Sequence, residues 1–295
     1  MKKTLELLWI SFLQAIKGAI WKWLVGSAST LFGLLLFAKN FLEKSVANSF
    51  KYGIIFVLVI FVSRLILFFS INVVKHLHFV YKESIYGDAI IILRDSFSKV
   101  HYLRKKGKID DEEFMEVMVV FCNNLKKIFD KKTKKQCSVS IKVPVKGPVN
   151  SSATVHNLCR DSIATKTRDT DDYKRTNHTI IGNTAFQKIV NNIFKGNKEN
   201  FFYLNNDINS AKDYENTSKD AYPENKLPYV SELVCPIIPH TWEKGTSSYE
   251  CIGFICVDCE DKDVFDNKYD VAIMSGVADG IYDLITFRNS SKENI

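Results

Sequence analysis

Acidic residues are almost missing from the first 80 positions, where Glu6 and Glu43 stand against nine lysines and arginines. That shortage produces the whole formal charge of +7: nine of the 40 basic and two of the 33 acidic residues lie here, leaving 31 of each sign in the rest. Residues 81–295 thus carry no net field to draw in a polyanion, and nucleic acid is excluded as an expected partner. Neither of the two long apolar stretches, 19–38 and 52–74, holds an aspartate or glutamate. The chain also has no internal repeat and no low-complexity tract, which removes solenoids and biased linkers from consideration.

What is present is two apolar stretches followed by a long mixed sequence. Lys22 alone interrupts the first stretch and Arg64 alone the second. Each reaches the roughly 20 residues that a helix needs to cross a bilayer core at about 1.5 Å per residue. The small residues Gly26-Ser27-Ala28 follow Lys22 and the apolar run resumes beyond them, which is unlike a cleaved signal. Two transmembrane helices, 19–38 and 52–74, are therefore expected, after an amphipathic segment 1–18 that carries Trp9; Trp21 and Trp23 join it at headgroup depth. Lysines before the first span and after the second place both termini and the soluble part on the cytoplasmic side. A charge at mid-membrane costs roughly 2.5–3.5 kcal/mol, so Arg64 is expected either to pair helices or to line a pore.

All seven cysteines, Cys122, Cys137, Cys159, Cys235, Cys251, Cys256 and Cys259, follow the spans. An odd number set in hydrophobic segments reads as reduced, buried thiols. The spacing Cys251-x4-Cys256-x2-Cys259 invites a zinc reading, but on a strand an odd separation points side chains to opposite faces. No metal is expected.

Beyond the spans, Ile90, Leu93, Phe97 and Val100 form one helical stripe in a connecting helix, 78–109, which Gly107 stops. Asp110 and Glu113 make a capping box for a second helix with the stripe Phe114, Met118, Phe121, Leu125, Ile128. Lys126, Lys127, Lys131, Lys132, Lys134 and Lys135 crowd its end, either answering the helix dipole or meeting lipid headgroups. Strand patterns follow at 137–145 and 153–159, a polar loop at 161–177, a short amphipathic helix at 184–194 and a long polar loop at 205–227. Two more strands at 229–238 and 250–258 precede a last helix with the stripe Val271, Met274, Ala278, Ile281, Ile285. The order is α+β. The 3.5-residue repeats in helices 90–103 and 114–128 suggest helix-on-helix packing, within the chain or across a homodimer in which helix 271–285 would join them.

Within this order, Ser231-Glu232-Leu233-Val234-Cys235-Pro236-Ile237, Ile252-Gly253-Phe254-Ile255-Cys256-Val257-Asp258, Val264-Phe265-Asp266 and Ala278-Asp279-Gly280-Ile281-Tyr282 resemble the corresponding pieces of GAF domains. Asn183-Thr184-Ala185-Phe186 and Phe202-Tyr203-Leu204-Asn205-Asn206-Asp207 are similar to bacterial GAF-like proteins that follow a two-span membrane anchor. The resemblance covers about 110–288, leaving 289–295 as a tail. It implies a GAF-like antiparallel sheet flanked by helices, with a small-ligand pocket under loops on the other face. It places the chain in a bacterial inner membrane. Bilin-binding relatives carry a Cys-His pair that this sequence lacks, so no covalent chromophore is expected, and the ligand or cofactor is unspecified. The pocket candidates in the covering loops are Arg160, Arg175, His178, Asn183, Phe186, Phe202, Asn206, Asp207, Tyr222 and Tyr229. Arginines with aromatics suit a phosphate-bearing or planar anionic ligand. Asn183 could instead cap a helix, Asn206 and Asp207 shape a turn, and Phe186 and Phe202 fill the core.

No kinase, cyclase or DNA-binding module follows residue 287, so output is expected through the spans or a separate partner. The leading reading is a membrane-anchored sensor, in one version a membrane-acting stress or phage-defence effector. The alternatives are a scaffold whose domain binds only a protein, and a thiol redox enzyme.

Overall fold

A computed structural model describes Trp9, Leu13 and residues 46–147, 149–168, 178–195, 201–239 and 251–293. The chain forms two compact units, Met1–Ser84 and Ile85–Ile295. In the first, Trp9 and Leu13 are helical and exposed, and the remaining described residues belong to helix α1, Val46–Lys106. The first apolar stretch, with Trp21 and Trp23, lies outside the described residues. Among those described, one helical stretch, Val62–Lys106, is long and apolar enough by length and composition to cross a membrane. Arg64 is exposed on it. Where the sequence suggested a span 52–74 and a separate helix 78–109, α1 runs through without a break. The intervening Lys75-His76-Leu77 contains neither proline nor glycine to stop it.

The second unit is an α+β domain. Its elements after α1 are helix α2 (Asp111–Thr133), strands β1 (Cys137–Pro144) and β2 (Thr154–Arg160), helix α3 (Ser162–Arg168), strand β3 (His178–Thr179), helix α4 (Thr184–Phe194), strands β4 (Tyr203–Asn205), β5 (Ser231–Ile237) and β6 (Gly253–Cys259), and helix α5 (Tyr269–Glu293). The strands make one antiparallel sheet in the order β3-β2-β1-β6-β5-β4. The two central strands, β1 and β6, are 100 or more residues apart in sequence. Gly253 opens β6 where a Cβ would stand 2.4 Å from the Lys142 carbonyl oxygen, so only glycine allows that approach.

Strand alternation gives the sheet two unlike faces. Val139, Ile141, Leu233, Cys235, Ile237, Ile255, Val257 and Cys259 join the core formed with α2, α5 and the end of α1. The α2 stripe read from the sequence, Phe114 to Ile128, is buried throughout, Phe114, Met118, Phe121 and Leu125 in this core. Three of the four α1 stripe residues face this core, Val100 buried and Leu93 and Phe97 packed against it, while Ile90 is 68% exposed and Ile85, Ala89, Ser96 and Leu103 are buried as well. The small Ala89 and Ser96 admit close neighbours, and Ser96 Oγ accepts a hydrogen bond from Asn124 Nδ2 at 2.6 Å. Phe97 meets Phe121 edge-on at 5.1 Å between ring centres, and Gly280 of α5 lies against Phe97. These helical stripes, which looked suited to a subunit seam, are largely filled within one chain.

The lysines ending α2 also find partners inside the domain. Lys126 Nζ donates to the Cys137 carbonyl at 2.6 Å, and Lys135 pairs with Asp261 at 3.0 Å. Lys131 pairs with Asp88, and Lys132 with the fully buried Asp270. Tyr86 also donates to Asp270, at 3.0 Å, so one carboxylate joins α1, α2 and α5.

Candidate functional site

The opposite sheet face starts from the same alternation but carries charge. Ser138, Ser140 and Lys142 of β1, Arg160 of β2 and Glu232 of β5 are all buried. A second apolar cluster, including Phe186 and Ile189 of α4, Phe254 and Tyr214, covers part of this face. Charged groups at strand positions normally turned to water are here enclosed by α3, α4 and the long 206–230 segment.

Asp161 begins the construction. Its Oδ1 accepts from the Ile163 and Ala164 N–H groups at 3.1 and 2.9 Å, capping α3, and its Oδ2 accepts from Val139 N at 2.9 Å. This fixes α3 to β1 and brings Arg168, at its far end, to Asp258 on β6. Arg168 Nη1 lies 2.7 Å from Asp258 Oδ1, and both side chains are mostly buried. The Arg168 guanidinium also stands over the Tyr229 ring, 5.9 Å from its centre.

Glu232 is the direct cross-strand partner of Asp258. Burial pushes the Glu232 carboxyl up to about 8, with the Asp258 charge adding to the rise and a hydrogen bond from Tyr214 opposing it. Asn216 Nδ2 donates to the hydroxyls of Tyr214 at 3.0 Å and Tyr229 at 2.9 Å, and burial raises both phenols. Cys256 stands between two groups of charge. Burial pushes its thiol up to about 12, Lys142 and Arg160 oppose the rise, and Glu232 and Asp258 add to it. His178, on β3, is brought down to about 3 by burial and by Lys142 and Arg160, so its ring is neutral at physiological pH. Its Nδ1 lies 3.3 Å from Ser218 Oγ.

Of the residues expected to line a pocket, Arg160, His178, Tyr222 and Tyr229 meet on this face, Tyr222 and Tyr229 both within electrostatic reach of Arg168. Five others do different work. Asn183 caps α4 by accepting from Phe186 N at 3.3 Å, and Phe186 stacks on Phe254 with ring centres 4.5 Å apart. Phe202 packs on the helix-side core. Asn206 spends its side-chain amide on the Phe265 backbone, donating to the carbonyl and accepting from the N–H, both at 2.9 Å. Asp207 closes a turn by accepting from Ser210. Arg175 lies outside the described residues.

Sequence reasoning missed Lys142, Arg168, Tyr214, Asn216, Glu232 and Asp258. For Lys142, Glu232 and Asp258 the signal was a charged side chain at the polar phase of a strand, which reads as a wet face until the covering segments are known; Arg168, Tyr214 and Asn216 lie in those covering segments and carried no such signal.

The thiols fall mostly on the helix side. Cys122 and Cys159 approach to 3.6 Å between sulfurs, and Cys137 faces Cys259 across β1 and β6. Burial, then the Cys159 contact, raises the Cys122 thiol; within the other pair their mutual hydrogen bond raises Cys137 and lowers Cys259. Cys256 and Cys259 occupy opposite faces of β6.

No protein-family model and no curated protein matches the chain. Among solved structures it is similar to a type II free methionine-R-sulfoxide reductase from Thermoplasma acidophilum, with 17% identity and a TM-score of 0.37 over 60% of this chain and 96% of that one. It is also similar to the GAF domain of an Acinetobacter phosphoenolpyruvate-protein phosphotransferase, at 8% identity and a TM-score of 0.39 over 72% and 95% of the two chains. A far-red cyanobacteriochrome photoreceptor aligns at 9% identity and a TM-score of 0.38 over 68% and 98%.

Proposed function

We propose that the second unit is a GAF-like sensor domain that binds a small anionic ligand on the loop-covered sheet face, and that the apolar part of α1 anchors it in a membrane. The observation that carries this reading is the enclosed charge. Lys142, Arg160 and Arg168 gather with Glu232, Asp258 and the tyrosines Tyr214, Tyr222 and Tyr229 on a face that a purely structural sheet would fill with apolar side chains. Among the described residues of this face, Lys142, Arg160 and Arg168 stand with Asp258 once Glu232 is protonated, which favours a carboxylate or phosphate, and the tyrosines favour a flat ligand. Binding is the favoured role over catalysis, because burial raises the Cys256 thiol, and burial with Lys142 and Arg160 holds His178 a poor base, the reverse of an activated site.

Helix α1 holds both the apolar run and the residues packed on α2 and α5. A ligand-dependent shift in that packing would therefore be carried along one element toward the proposed membrane anchor. We place the domain in the cytoplasm of a bacterium, with lipid as one partner and a second copy as another, through the side of α1 and its neighbouring helices left exposed, where Ile90 and Ile91 lie. In its sharpest form the protein is a membrane-acting stress or phage-defence effector.

The test is a thermal-unfolding screen of the full chain in detergent against nucleotides, cyclic dinucleotides and anionic metabolites. A ligand at 100 times its dissociation constant adds about 2.7 kcal/mol. A specific stabilising compound whose effect is lost in Arg160→Ala supports the reading. A folded protein that answers to none turns the assignment toward a protein-binding scaffold. For the effector form, expression that leaves membrane potential unchanged under every trigger removes it, and Arg64→Leu should alter any conductance seen.

A further inference from the structure

Resting on the ligand-binding reading above, we propose that Glu232 is an oxyanion contact: its carboxylic acid, through Oε1, donates a hydrogen bond to a carboxylate or phosphate oxygen of the ligand. The local hydrogen bonds all run toward this group. Asn216 donates to both tyrosine oxygens, Tyr229 engages Tyr214, and Tyr214 engages Glu232. Glu232 Oε1 ends the series buried and without a hydrogen-bond partner.

The neighbours decide which species Glu232 is. Two adjacent carboxylates in a mostly buried place do not both ionise readily, and it is Asp258 that Arg168 binds, at 2.7 Å. Glu232 is therefore the member that holds a proton. With Tyr214 on its other oxygen, that proton sits on Oε1, a buried donor awaiting an acceptor.

The groups facing Glu232 are Asp258 and Cys256 from β6, Tyr203 and Asn205 from β4, and Tyr214 and Tyr229 from the covering segment, with Arg168 of α3 bound to Asp258 beyond them. Lys142 and Arg160 lie across Cys256, and His178 adds no charge there. The charge that reaches Glu232 is that of Asp258, which Arg168 holds, so an oxyanion at Oε1 gains a charge-assisted O–H···O bond from the acid. Binding should then need the acid form of Glu232 and weaken as pH rises through its ionisation near 8.

Sulfate is the probe, because it does not titrate across this range. Its affinity is read from the unfolding midpoint of the full chain in detergent, at constant ionic strength set with chloride. The wild type should bind sulfate about thirtyfold more weakly at about pH 9.5 than at about pH 6.5, following the acid fraction of a group near 8. Glu232→Gln keeps an N–H donor at every pH, so it should bind at both pH values alike; Glu232→Leu should lose the response at both. A wild-type response equal at the two pH values, a Glu232→Leu response equal to wild type, or no sulfate response at all overturns the proposal. Sensing itself survives that result if a metabolite from the broader screen stabilises wild type and Glu232→Leu equally.

Discussion

Glu232 and Asp258 face each other across β5 and β6, and Arg168 binds Asp258 at 2.7 Å. The pair divides its roles by that one contact. Asp258 is the paired carboxylate, and Glu232 is the desolvated acid that burial pushes to about 8.

The first consequence is a pH dependence of stability. Glu232 binds its proton more tightly folded than unfolded, where a glutamate ionises near 4.3. The folded state gains from this below the unfolded value and loses it as pH rises toward about 8, at no more than about 1.4 kcal/mol per pH unit. Glu232→Gln removes the slope. Chemical denaturation at intervals from mildly acid to mildly alkaline pH should show the variant gaining on wild type as pH rises. Parallel curves would mean that Glu232 is ionised throughout.

Removing Arg168 should cost more than removing the ion pair. Arg168→Ala leaves the Asp258 side chain without its guanidinium partner beside Glu232 in a mostly buried place, at a cost on the order of 3 kcal/mol. Asp258→Asn in the Arg168→Ala background should recover much of that loss. A double-mutant cycle with purely additive costs would remove the coupling claimed between them.

Asn206 separates structure from recognition. Its side chain ties the start of the long 206–230 segment to the Phe265 backbone, so Asn206→Ala should cost about 2 kcal/mol through two lost hydrogen bonds and an orphaned backbone pair. The fraction that remains folded should bind any ligand found in the screen with unchanged affinity. A large affinity loss at unchanged stability would return Asn206 to the ligand site.

Gly280 tests the packing of α5 on α1. Alanine in a helix is ordinarily favoured over glycine by about 1 kcal/mol. Here its Cβ would stand 2.1 Å from Phe97 Cε1, and overpacking of this kind costs about 1–3 kcal/mol. Gly280→Ala should therefore destabilise, and adding Phe97→Leu should narrow the difference between glycine and alanine at position 280. A more stable Gly280→Ala protein would mean that the helices stand further apart.

Local sequence determined the features that rest on a few neighbouring residues. The Asp110 side chain accepts from Glu113 N at 2.8 Å, and Asn183 caps α4, both following from short polar side chains placed before an amphipathic run. The four longer strands fall within a few residues of their alternating patterns, and the α2 stripe is buried as its period requires. Tertiary structure decided what those faces meet. Strand alternation separated Ser138, Ser140 and Lys142 from Val139 and Ile141, but a polar strand face is equally consistent with water. Its enclosure depends on α3, on α4 and on a segment distant in sequence. Likewise β1 pairs with β6, and that register sets which charges gather around Cys256; no pattern within either strand specifies a partner so far along the chain. The helical stripes gave the same local signal for packing inside one chain as for packing between two, and only the sheet order brought α1, α2 and α5 together.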